Sequence, residues 1–184
     1  EETKMKHWLS ALFFLLTLLF IGLLIGNVEF QTWAFTRHQN QLSWYIRPIL
    51  ILPIMYFSYR KSLLGISASI FALFTSMIWF WVPKTTSPLV KEFLAYEQDF
   101  LQADWNLKKV LFAFLVISFF LLLIRATWLH SWKLLALLLI ITAFLKMIWS
   151  YLDSGRAGLT IVVPAILGLF ICLFFLSFWK KGKS

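Results

Sequence analysis

The sequence predicts an all-α fold: a polytopic membrane helix bundle of six transmembrane helices plus one interfacial amphipathic helix, in a single integral membrane domain over residues 1–184. Three observations carry this. Apolar residues make up 61% of the chain and charged residues only 14%, with a mean hydropathy of +0.82; a soluble domain carries about 25% charged and 45–50% apolar residues. The apolar residues come in blocks near the roughly 20 needed to cross a bilayer as a helix. Those blocks, residues 12–16 and 134–141 among them, lack the alternation of a membrane β-strand. Lipid offers no partner to backbone N–H and C=O groups, so unalternating blocks must be helices. A soluble enzyme, a disordered chain, a disulfide scaffold and a coiled coil are excluded.

The first span, 8–28, follows Lys4 and Lys6. Its apolar run is too long for a secretory signal, and Gly26-Asn27-Val28-Glu29 is not a small-x-small cleavage site, so it reads as a retained anchor. Its Gly22-x-x-x-Gly26 is a helix-contact motif, because lipid competes equally for large apolar side chains and helices associate through small ones. The second span, 42–59, holds Arg47, Pro48 and Pro53; a re-entrant hairpin is its alternative. The third, 62–82, sets Ser62, Gly65, Ser69, Ala72 and Ser76 on one helical face. The fourth and fifth run over 107–124 and 132–149, and the tight turn Asp153-Ser154-Gly155-Arg156 leads to the sixth, 158–179. There Gly158, Ala165, Gly168 and Cys172 form a small-residue stripe, and Pro164 frees the carbonyl of Thr160 and predicts a kink. The third and sixth helices are expected at the centre, with Phe71, Phe74 and Ile78 turned outward. Cys172 is the one cysteine; it reads as a packing residue, with no disulfide possible within the chain.

Six spans put both termini on one side. That side collects nine cations (Lys4, Lys6, Arg60, Lys61, Arg125, Lys133, Lys180, Lys181, Lys183) against Glu1 and Glu2. The other holds eight cations against six carboxylates. Cytoplasmic loops carry the cation excess, so the termini are expected in the cytoplasm, in a bacterial inner membrane. The tryptophans agree: Trp8, Trp128, Trp132 and Trp179 fall at inner ends and the other six at outer ends or loops, where indoles favour the interface. The basic balance is assigned to anionic headgroups and topology rather than to nucleic acid.

Between the third and fourth spans, Ser87-Pro88 is a helix start, with serine able to cap and proline at the first helical position. Over about 88–104, Leu89, Val90, Phe93, Leu94, Tyr96, Phe100 and Leu101 fill one arc, opposite Lys91, Glu92, Gln98, Asp99 and Gln102. This is an amphipathic helix lying in the membrane surface. Glu97 and Asp104 break the pattern by falling inside the apolar arc, where a carboxylate should be protonated or paired.

That exception defines the candidate site: an outer polar pocket of Arg37, His38, Arg47, Glu97 and Asp104, roofed by the amphipathic helix, with Arg47 meeting Glu97 and with His38 or Arg37 beside a ligand or partner. The plainer alternative makes these residues salt bridges that dock the surface helix, with Asp104 past its end and Arg47 snorkelling. No Asp or Glu lies within a span, which weakens ion-coupled transport. His7, His38 and His130 show no haem or metal spacing, and no nucleophile elbow or phosphate loop occurs. No catalytic residue, cofactor or metal is assigned. Three functions remain, in this order: a non-catalytic membrane component (scaffold, assembly factor or accessory subunit) with the bilayer and another membrane protein as partners; a small transporter or substrate-binding subunit for a neutral or anionic solute; and a lipid-acting membrane enzyme.

Overall fold

The computed structural model describes residues 1–181, so Lys183 of the inner charge count lies outside the described residues. The chain is helical over 86% of its length and has no strand among the described residues. Three stretches are long and apolar enough to cross a membrane: Glu2–Gly26, Leu107–Trp128 and Trp132–Trp179. The chain forms two compact units, residues 1–86 and 87–184.

The first unit opens with α1 (Glu2–Gly26), which Asn27 ends in an extended conformation. The same Asn27 caps α2 (Val28–His38), its side chain accepting from the Phe30 N–H at 2.8 Å. Glu29 in the first turn and Arg37 and His38 in the last complement the helix dipole. The predicted second span is two helices, α3 (Leu42–Ile49) and α4 (Ile51–Tyr59). Pro53 explains the break: it has no N–H for the Ile49 carbonyl, and it is tolerated in the first turn of α4, where no intrahelical acceptor exists.

The three-residue α4–α5 connection, 60–62, turns on one left-handed residue, Lys61 (φ 54°). The N–H groups of Ser62 and Lys61 return to the carbonyls of Phe57 and Ser58 at 2.9 and 3.1 Å, which closes the helix end in a Schellman motif. The third predicted span comes out shorter than 62–82. Helix α5 (Leu63–Thr75) tightens into a 3-10 turn, Ser76–Ile78, and then stops. The hydroxyls of Thr75 and Ser76 bond back to Phe71 and Leu73, competing with the backbone ladder. The carbonyls of Ile78 and Trp81 are taken by Arg37 and Asn40 instead.

Helix α5 packs on both α1 and α4, so it is central within its unit, as its small residues imply. Gly65, Ser69 and Ser76 are buried. Two details differ from expectation. Phe71 faces α1, its ring 5.7 Å from that of Phe13. Gly22 and Gly26 are exposed with nothing within 4 Å of where a Cβ would stand; α1 buries Ser10, Thr17, Phe20 and Leu24 instead.

The second unit runs α6 (Pro88–Gln102), α7 (Leu107–Trp128), α8 (Trp132–Ser154), a 3-10 segment Gly155–Ile161, and α9 (Val162–Lys181). Helix α7 ends as α4 does: His130 is left-handed (φ 57°), and Ser131 and His130 donate back to Ala126 and Thr127 at 2.9 and 3.0 Å. Phe112 near the start of α7 lies 5.8 Å from Trp149 near the end of α8, and Trp132 opening α8 lies 6.5 Å from Trp179 closing α9. Helices α7, α8 and α9 therefore run alternately up and down, and the 132–179 stretch is two antiparallel helices rather than one. Gly155 makes that reversal at φ +55° and ψ −129°, a conformation that favours glycine. The predicted sixth span begins as a 3-10 segment that runs directly into α9, which places Pro164 third in that α-helix, a position where a missing N–H is tolerated. Gly158, Gly168 and Cys172 of the predicted stripe are buried.

Both units treat polar groups alike. Ser10, Thr17, Ser58, Ser69, Thr127 and Ser154 each donate to the carbonyl four residues earlier, so their hydroxyls are satisfied without water. Large apolar side chains stay exposed along α1, α7, α8 and α9, for example Leu18, Phe114, Leu145 and Phe170. A water-soluble bundle would bury such surface; a lipid-facing one leaves it out.

Candidate functional site

The predicted pocket residues divide between the units: Arg37, His38 and Arg47 belong to the first, Glu97 and Asp104 to the second. In the first unit, the end of α2 and the start of α3 form a polar joint. His38 is buried, and its Nδ1 lies 2.7 Å from the Ser43 hydroxyl, which itself lies 2.7 Å from the Asn40 carbonyl. A carbonyl only accepts, so the hydroxyl proton belongs to Asn40, and His38 Nδ1 must carry a hydrogen and donate. This proton count decides the chemistry of the pair. A serine nucleophile needs a histidine that accepts its proton, and Ser43, fully buried, gives its proton elsewhere.

The joint holds a strap. Arg37 Nε donates to the Ile78 carbonyl at 2.8 Å, with the guanidinium 5.6 Å over the Trp33 ring. Asn40 Nδ2 donates to the Trp81 carbonyl at 3.0 Å, and the Thr86 hydroxyl to Gln39 Oε1 at 3.0 Å. Trp44 Nε1 donates to the His38 carbonyl at 2.9 Å, and its ring stands 5.9 Å from the imidazole. The irregular stretch after α5 is thus sewn to the α2–α3 corner, and backbone groups that α5 leaves open find partners there. Arg47 lies half-buried in the last turn of α3 beside Pro48.

In the second unit, Glu97 pairs with Lys146 of α8 at 2.9 Å, and that ammonium also lies 5.8 Å over the Phe93 ring. Beside this pair α6 buries Val90, Phe93 and Leu94. Asp104 lies past the end of α6 and is exposed. Two further cations shape the α6–α7 corner. Lys108 pairs with Asp153 at the end of α8 and lies over the rings of Phe100 and Trp149, at 5.5 and 5.1 Å. Lys109 is buried, 5% exposed, yet its ammonium is well held: it donates to the carbonyls of Leu101 and Ala103, each at 2.7 Å, and lies 5.2 Å from the Trp105 ring. A cation at the last carbonyls of α6 complements its dipole and replaces lost hydration.

The chain brings Arg37 and His38 together and pairs Glu97 with Lys146. Sequence reasoning missed three contributors. Helix α2 was read as loop, although Gln31, Ala34, Phe35 and His38, its buried residues, recur at helical spacing; two of the four are polar, which hid the stripe. Gln31, 1% exposed, donates to the Leu24 carbonyl at 2.9 Å and so fixes the α1–α2 bend. Lys108 and Lys109 were seen as outer cations available to Glu97 and Asp104, and nothing local distinguishes an ammonium aimed at carbonyls from one aimed at water. Among the described residues, no three of His, Cys, Asp and Glu gather closely enough to hold a metal ion. The sequence matches no protein-family model, and no curated protein or solved structure matches the chain.

Proposed function

We propose that this chain is a six-span, non-catalytic component of a bacterial inner membrane, with both termini cytoplasmic: a scaffold, assembly factor or accessory subunit that contacts another membrane protein. Helix lengths support the spans. At 1.5 Å per residue, α7, α8 and α9 reach roughly 30–35 Å, α3 with α4 about 27 Å and α5 with its 3-10 turn about 26 Å, against a hydrocarbon core of about 30 Å. The amphipathic α6 lies at the outer surface, held by its apolar face and the Glu97–Lys146 pair.

One observation carries the functional choice. The polar side chains that a transporter or enzyme would present are engaged in the protein's own joints: Arg37 on the Ile78 carbonyl, His38 on Ser43, Glu97 on Lys146 and Lys109 on the end of α6. Such staples make rigid joints within each unit rather than line a solvated cavity. The test is the native mass of the protein purified from its own membranes in mild detergent. A fixed-stoichiometry complex with a second polypeptide is expected. A lone chain that a solute stabilises thermally, with the effect lost in Arg47→Ala, overturns the proposal in favour of a transporter. Topology is read separately, by a reporter active only outside the cytoplasm fused at residue 95, which should be active.

A further inference from the structure

Arg37 gives only its Nε to the fold. The bond from Nε to the Ile78 carbonyl and the Trp33 ring beneath the guanidinium hold that group in one orientation. Its two Nη groups, side by side at the far end of the same plane, meet no acceptor among the described residues. Glu29, the carboxylate nearest in sequence, is exposed eight residues back on α2, about 12 Å along the axis. The next acid in the chain is Glu92, beyond the end of this unit. Arg37 is nonetheless half-buried. A guanidinium fixed in plane is a template for a carboxylate, whose two oxygens accept parallel N–H bonds.

The surroundings of Arg37 are aromatic and pinned. Trp33 is 47% exposed, Trp79 48% and Trp81 69%. None of the three stands on a loose backbone. Trp33 belongs to α2, Trp79 Nε1 donates to the Thr75 hydroxyl at 3.2 Å, and the Trp81 carbonyl is held by Asn40. Because Arg37 takes Ile78 and Asn40 takes Trp81, the strap brings its two tryptophans to the same corner as the guanidinium. A mobile headgroup needs a cation but no locked orientation. Rigid indoles around a pre-set guanidinium match instead the Trp and Arg anchors in which protein interfaces concentrate their binding energy, and pre-setting lowers the cost of ordering them on contact.

We infer that the partner protein docks at this corner through an acidic segment, with an Asp or Glu carboxylate seated on the two Nη groups of Arg37 and apolar side chains against Trp33 and Trp81. The existence of a partner rests on the proposed function; the surface used and the chemistry recognised are additional to it.

The test uses the complex purified from its own membranes in mild detergent, diluted in steps while native mass spectrometry reads the fraction still assembled. Arg37→Lys keeps the charge, but one ammonium cannot serve the Ile78 carbonyl and grip both carboxylate oxygens. The complex should come apart at a concentration about thirtyfold higher, the loss expected of an interface anchor. Trp81→Ala removes an exposed indole that no hydrogen bond of the fold uses, so it should weaken assembly by about tenfold and leave the melting temperature of the chain unchanged. Trp8→Ala, equally exposed but on the first turns of α1, should change neither. A benzophenone side chain in place of Trp81 should cross-link to a partner peptide that contains Asp or Glu. Changing that carboxylate to its amide should weaken wild type as Arg37→Lys does and add little to the Arg37→Lys variant, the non-additivity of two groups in contact. Cross-links to lipid alone overturn the inference in favour of a membrane anchor. A complex indifferent to both Arg37→Lys and Trp81→Ala overturns the docking surface and leaves the proposed function standing. A wild-type chain that purifies alone overturns both.

Discussion

Adding one methyl group at Gly158 and at Gly22 sets two ways of locating helix contacts against each other. A Cβ at Gly158 would run into the backbone carbonyl of Ser150 and stand 2.9 Å from the Ser154 hydroxyl. A backbone oxygen in the closing turns of α8 cannot swing aside as a side chain can, so the 3-10 segment and α8 would have to part by on the order of 1 Å, at a cost near the top of the 1–3 kcal/mol range for overpacking. The same segment carries the buried Ala157 and Ile161 and packs on α6, so the separation reaches that helix too. At Gly22 nothing lies within 4 Å. Alanine there meets open space and gains helix propensity, up to about 1 kcal/mol. Gly158→Ala should therefore destabilise by about 3 kcal/mol, and Gly22→Ala should be neutral or stabilising. Reversible unfolding in mixed SDS micelles, followed by far-ultraviolet circular dichroism, measures both. If Gly158→Ala falls within 0.5 kcal/mol of wild type, a difference at the limit of such comparisons, or if Gly22→Ala is the more damaging, the packing described here is wrong and the Gly-x-x-x-Gly face is the true contact.

Gly65→Ala meets the Phe57 side chain rather than backbone, so it should cost less, about 1–2 kcal/mol, and Phe57→Val should recover most of the loss in the same unfolding assay. Lys109→Met strips two carbonyls of a charged donor and should cost about 2 kcal/mol, with faster amide exchange confined to the last turn of α6; unchanged exchange there would refute the cap. The Glu97–Lys146 pair is 30–44% exposed, so a double-mutant cycle with Glu97→Gln and Lys146→Met should return a coupling under about 1 kcal/mol. Trp44→Phe keeps the ring and loses the bond to the His38 carbonyl, a loss of about 1 kcal/mol; its signature is greater protease sensitivity of the strap over residues 79–86.

The candidate site was legible only in part. Glu97 was conspicuous as a carboxylate in an apolar arc, and its need for a cation follows from the cost of burying charge. The expected cation was Arg47 and the one found is Lys146, because Arg47, Lys108, Lys109 and Lys146 are equivalent as letters. The hairpin of α7 and α8 selects Lys146, by setting it against α6. His38 and Arg37 were noticed as outer polar residues, but the helix that carries them was not.

Composition and block length alone determined that the chain is helical and apolar enough for a membrane, since backbone groups in lipid must be satisfied within each segment and only helices do so locally. The small-residue stripe of α5, the proline start of α6 and the turn after α8 were likewise local facts. Three matters waited for the tertiary structure: the early end of α5, the idle Gly22-x-x-x-Gly26, and the partners of each charged side chain. All three depend on what arrives from elsewhere in the chain. A hydroxyl permits a break that a distant donor must complete, as Arg37 does at Ile78, and a glycine marks a close approach only where another backbone comes near enough to need it.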